Sequence, residues 1–118
     1  MNMACKTIRQ DEVTAHGRIY DRAAMEKICQ LTNDQAAANL CFVVADPSDP
    51  WKIKLFDVVG RISSCSIDNG MLYCEVLPLI PHHTSGLESR DISPILFGDL
   101  EDGMVNAETL QLTGWEIF

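Results

Sequence analysis

Positive charge is scarce in this chain. Nine Lys and Arg residues stand against 17 Asp and Glu in 118 residues, a net charge of -8, so there is no basic stripe of the kind that nucleic-acid phosphates require. We therefore expect no direct nucleic-acid binding. Long apolar runs are also missing, since none nears the ~18 residues of a membrane helix. The opening MNMACKTIRQ carries Lys6 and Arg9 with no apolar block behind them, unlike a signal peptide. The expectation is a protein of the cytoplasm, without a membrane partner. Glycine-rich phosphate cradles are absent, because Gly17, Gly60, Gly70, Gly86, Gly98, Gly103 and Gly114 are scattered among turns. The five cysteines, Cys5, Cys29, Cys41, Cys65 and Cys74, are odd in number and form no Cys-x-x-Cys, which argues for reduced thiols over a disulfide framework. His82 and His83 are not at zinc-finger spacing from any of them. We expect neither a metal nor a cofactor.

What is present reads as one domain, residues 1–118, with 47% apolar residues to build a single core. A short strand is predicted around Lys6 to Arg9, then a polar turn ending in HGRIY. Asp21 can cap a helix reaching about Leu31, because Ala24, Met25, Ile28 and Leu31 recur at helical spacing. Asn33 and Asp34 can cap a second short helical turn through QAAANL. LCFVVA reads as a buried strand and DPSDP as the turn after it. Ile53 to Ile67 reads as a long strand whose apolar phase slips near Phe56, as a bulge would cause.

Asn69-Gly70 then marks a two-residue hairpin into MLYCEVLPL, pairing Ile67 with Leu72 and Cys65 with Cys74. In such a hairpin the two cysteines form a non-hydrogen-bonded pair. Two small buried hydrophobes are the favoured reading there, ahead of a disulfide. PHHTSGLESR reads as a loop, and Asp91 to Phe97 and Glu108 to Phe118 as strands joined by the turn-rich GDLEDG, with Gly114 breaking the alternation of the last. The predicted class is α+β: a mostly antiparallel β-sheet or small open barrel with one amphipathic helix near the N-terminus.

Chemistry centres on Ser93, set between Ile92 and Pro94. A serine nucleophile needs a base within hydrogen-bond reach and a group to orient it. His82 and His83 are the candidate bases, Asp91 and Glu88 the candidate orienting carboxylates, and His16 belongs to an earlier turn. Ser-Pro at a strand start also serves simply to bend a chain, so residue types alone do not favour catalysis. Trp51, Trp115 and the apolar end at Phe118 are candidate contact residues for a protein partner, although core or rim packing is the favoured reading for the tryptophans. The acidity reads first as solubility and second as a surface for a basic protein, carried by Asp46, Asp49, Asp99, Glu101 and Asp102.

Three segments together resemble the phage prohead maturation proteases, including those of Mu-like phages. HGRIY with the helix after it, His16 to Leu31, is similar to that family's Asn-Gly-Arg-x-Tyr opening and helix. VVGRISSCSIDNGMLYCEV resembles its Gly-x-Ile strand, Asp-Gly turn and valine-ended strand. SRDISPILFGDLEDGMV resembles its Ile-Ser-Pro-Val-Phe segment, whose serine is the nucleophile, and Ser93 holds that position. The matches span most of residues 16 to 106.

Two departures matter. The family places a histidine where VVADP has Asp46, and an aspartate does not serve as a histidine-type base near neutral pH. The sequence also ends at Phe118, soon after the serine strand, where family proteases continue. The resemblance with its departures implies a phage or prophage structural or assembly accessory protein, capsid-associated or of decoration type, on a protease-like scaffold without proteolysis. It would bind a capsid-type protein or a second copy, in the host cytoplasm or in the virion. The alternatives are a small acidic inhibitor of a host defence protein and, third, a serine protease using Ser93.

Overall fold

The structure is a computed structural model that describes residues 3–14, 17–44, 58–78 and 92–117. Strand β1 (Met3–Arg9) leads to helix α1 (Arg22–Ala37), then β2 (Phe42–Val44), β3 (Val58–Asp68) and β4 (Met71–Pro78). Strand β5 (Ile92–Phe97), a small ribbon of β6 (Leu100–Glu101) and β7 (Met104–Val105), a 3-10 turn (Ala107–Thr109) and β8 (Gln111–Ile117) complete it. Six strands form one sheet in the order β1-β4-β3-β2-β8-β5. Its pairings are antiparallel except β2 with β8, which run parallel. The sheet curls so far that its two outer strands, β1 and β5, approach each other. This is the α+β, open-barrel class expected.

Helix α1 forms where the spacing predicts it, and it starts at the predicted cap, where the Ala24 amide donates to Asp21 Oδ1 at 2.8 Å. It does not stop near Leu31. It runs unbroken to Ala37 and buries Ala24, Met25, Ile28 and Thr32 against β3 and β8. Asn33 caps no second turn because its amide is committed to the sheet: Nδ2 donates to the Cys65 carbonyl at 2.9 Å, and Oδ1 accepts from the Cys65 amide at 2.8 Å. Asn33 thus acts as a one-residue strand for β3. Gln35 Nε2 does half of this for β8, donating to the Leu112 carbonyl at 2.8 Å. The helix ends at Asn39, left-handed at φ 58, where the Leu40 amide closes on the Gln35 carbonyl at 2.8 Å.

The β3–β4 hairpin turns at Asn69 and Gly70, with φ values of 50 and 74, which match the twist of the flanking strands. Its register pairs Ile67 with Leu72 and Cys65 with Cys74, as the turn chemistry predicts. The slip expected near Phe56 lies outside the described residues. Bulges do occur further along β3, where Val59 is the extra residue opposite Val43 and Val44, and Ser63 the extra residue opposite Val76 and Glu75. The first explains why Val58, Val59 and Gly60 are buried in succession.

GDLEDG is more than a connection. Asp102 and Gly103, with φ values of 52 and 83, turn a second two-residue hairpin that pairs Glu101 with Met104. The predicted strand from Glu108 starts only at Gln111, because Asn106 Oδ1 accepts from the Glu108 amide and nucleates the 3-10 turn.

Between α1 and the sheet lies the main core, which includes Met25, Ile28, Ile62, Leu72, Val76 and Trp115. Trp115 has no exposed surface, which corrects its reading as a partner-contact residue. Thr113 is the extra residue of a bulge in β8 facing Ile95 and Leu96, and beyond it Trp115 turns inward. A smaller cluster of Val44, Val58 and Ile95, with Phe42 and Phe97 packed on it, occupies the other face of the sheet.

Candidate functional site

Ser93 lies on β5 between two buried residues, Ile92 and Pro94. Strand alternation sends Ile92 to the main core and Ile95 to the opposite cluster, so Ser93 shares its face with Ile95. A proline is tolerated here because β5 is an outer strand of the sheet. Ser93 is half-buried rather than open.

Its neighbour across the sheet is Glu116 on β8, the directly opposed residue. Glu116 is in turn opposite Val44 of β2, and Val44 opposite Val58 of β3. Directly opposed residues share a face. A row Ser93, Glu116, Val44, Val58 therefore crosses four strands, with a half-buried hydroxyl and carboxylate set beside buried valines. Glu116 was not singled out from the sequence. Nothing local could have revealed it, because its place beside Ser93 depends on two strands that pair across the β6–β7 ribbon.

The chain leaves β2 at Val44, two residues before Asp46. Asp46, His82, His83, Glu88, Asp91, His16, Asp49, Trp51 and Phe118 all lie outside the described residues. Of the named catalytic set, Ser93 alone is therefore placed. Among the described residues, no three His, Cys, Asp or Glu side chains are grouped so as to hold a metal ion. No described helix is long and apolar enough to cross a membrane.

A second feature lies away from Ser93, where the β6–β7 ribbon meets the start of α1. A groove of about 680 Å³ there is lined by the apolar residues Ile19, Ala23 and Met104 and by the carboxylates of Asp21, Glu101, Asp102 and Glu108. Met104 is 40% exposed and Leu100, on the same ribbon, 52%. Asp99, Glu101 and Asp102 are exposed, as a solvent-facing acidic surface requires.

No protein-family model matches the chain, and no curated protein matches it by sequence. Among solved structures the chain is similar to the capsid assembly protease of bacteriophage T4, gp21. The TM-score is 0.72 at 14% identity, over 98% of this chain and 80% of that one. At that identity the likeness establishes a shared fold.

Proposed function

We propose that this chain is a phage head-assembly protein that uses a capsid-assembly-protease scaffold to hold a protein partner and does not itself cut peptide bonds. The observation that carries the reading is the likeness to the T4 capsid assembly protease across 98% of the chain. The group directly opposite Ser93 is the carboxylate of Glu116. Carboxylates as a class are weaker proton acceptors than imidazole, and the sequence puts an aspartate where the resemblance calls for histidine. The partner of this reading is a capsid-type protein or a second copy of the chain. Affinity purification of the tagged chain from phage-producing cells, followed by protein mass spectrometry, tests it. Recovery of head proteins at a defined ratio supports the reading, and a strictly monomeric chain absent from heads and their precursors overturns it.

A second reading, a serine hydrolase, is favoured by the placement of Ser93 and Glu116 on one face. There Glu116 would orient a base such as His82 or His83, and that base would take the Ser93 proton. A fluorophosphonate probe separates the two readings. Labelling that Ser93→Ala abolishes would establish the hydrolase, whereas an unlabelled wild type supports the scaffold.

A third reading, capture of a basic host protein, rests on the groove lined by Asp21, Glu101, Asp102 and Glu108. Charged capture weakens steeply with salt. A pull-down partner lost between low and high salt, and lost in a Glu101→Lys/Asp102→Lys variant, would support it.

A further inference from the structure

Cysteines of three adjacent strands stand in one row, Cys5 opposite Cys74 and Cys74 opposite Cys65. Within that row two contacts are not equivalent. Hairpin counting from Asp68–Met71 makes Cys65–Cys74 a non-hydrogen-bonded pair, the kind with side chains closest together. The backbone of Cys65 agrees, because its amide and carbonyl are both turned to the Asn33 side chain and away from β4. Cys74 then directs its own amide and carbonyl toward β1. Cys5–Cys74 becomes a hydrogen-bonded pair, about 1 Å wider between Cα atoms.

The thiols of Cys65 and Cys74 lie 3.7 Å apart, in contact but unbonded. The S–H of Cys74 points at the Cys65 sulfur and holds the Cys65 thiol below its ordinary range, while the same contact and burial push Cys74 up. Cys29 packs from α1 and donates to the Cys65 carbonyl at 3.2 Å.

We propose that Cys65 and Cys74 form an oxidative modification site, a dithiol that a small hydroperoxide converts to a cross-strand disulfide. The Cys65 thiolate attacks one peroxide oxygen and the O–O bond breaks. Cys65 becomes a sulfenic acid, and the departing hydroxide takes up a proton to leave as water. Cys74 then loses its proton and attacks the Cys65 sulfur, forming the S–S bond and expelling hydroxide, which takes up that proton. In sum, two thiols are oxidised to a disulfide, and one hydrogen peroxide is reduced to two waters. Cys65 is 7% exposed, which suits a water-sized oxidant rather than a bulky one. The site is independent of the assembly reading.

Limited oxidation of the folded protein with hydrogen peroxide, then alkylation in denaturant and peptide mass spectrometry, tests the proposal. The expected product is lighter by two hydrogens, its alkylatable thiols fall from five to three, and one peptide pair joins Cys65 to Cys74. In urea that pair should lose at least tenfold of its preference over other pairings. A folded protein that keeps all five thiols, or that joins Cys29 to Cys65 instead, overturns the proposal. Cys5→Ser is the control that must leave the product unchanged, and a Cys5-dependent product also overturns it.

Discussion

Asn33 spends its side chain on the sheet. Both polar groups of the Cys65 backbone are satisfied by this one amide. Without it the Cys65 amide would face the underside of α1 unpaired, and the carbonyl would keep only the weak donor of the Cys29 thiol. We predict that Asn33→Ala costs about 1–3 kcal/mol in urea unfolding, because a buried backbone group left unmade carries its full desolvation penalty. Trp115 makes the opposite case. It is wholly buried, and its indole N–H has no partner among the described residues. Trp115→Phe should therefore cost much less than Trp115→Ala, which opens a cavity worth about 3–5 kcal/mol. Equal losses from the two substitutions would contradict this reading. The role of Asn33 was not legible in the sequence, because an asparagine after a helical run reads as a cap, whereas core packing was one of the two readings the sequence offered for Trp115.

Among the elements, those set by local chemistry were readable. Helix α1 announced its start through Asp21, and Asn69-Gly70 specified both turn and register of the β3–β4 hairpin. Gly70 sits at φ 74 with only Gln10 Cβ, at 3.6 Å, near an added methyl. The cost of Gly70→Ala is thus conformational, about 1–2 kcal/mol, and hydrogen exchange of the hairpin amides should accelerate accordingly. The β6–β7 ribbon escaped notice although Asp102-Gly103 is the same kind of signal, because its strands are only two residues long. The parallel pairing of β2 with β8 could not be read at all. It joins residues 43 and 115, and no local pattern encodes a contact of that span. The row containing Ser93 and Glu116 depends on that region of the sheet, so the sequence located the serine but not its neighbour.

At the scale of the whole molecule, the buried thiols set a limit on stability at high pH. Burial pushes Cys41 from 9.0 up to about 12 and Cys29 up to about 11. Cys74 is raised as well, while Cys65 runs the other way. A raised thiol stays protonated in the folded chain while the unfolded chain ionises, so its contribution is full below about pH 9 and is lost toward about pH 12. The urea midpoint should fall across that window, and Cys41→Ala should flatten the fall.

On the proposed assembly role the chain meets other proteins, and the account stands or falls on what it does to them. Native mass spectrometry of the chain co-expressed with the major capsid subunit that the proposed role implies tests this most directly. The account predicts a complex in which the capsid subunit keeps its full-length mass, in wild type and Ser93→Ala alike. Failure to associate, or a capsid subunit shortened only when Ser93 is present, would contradict it.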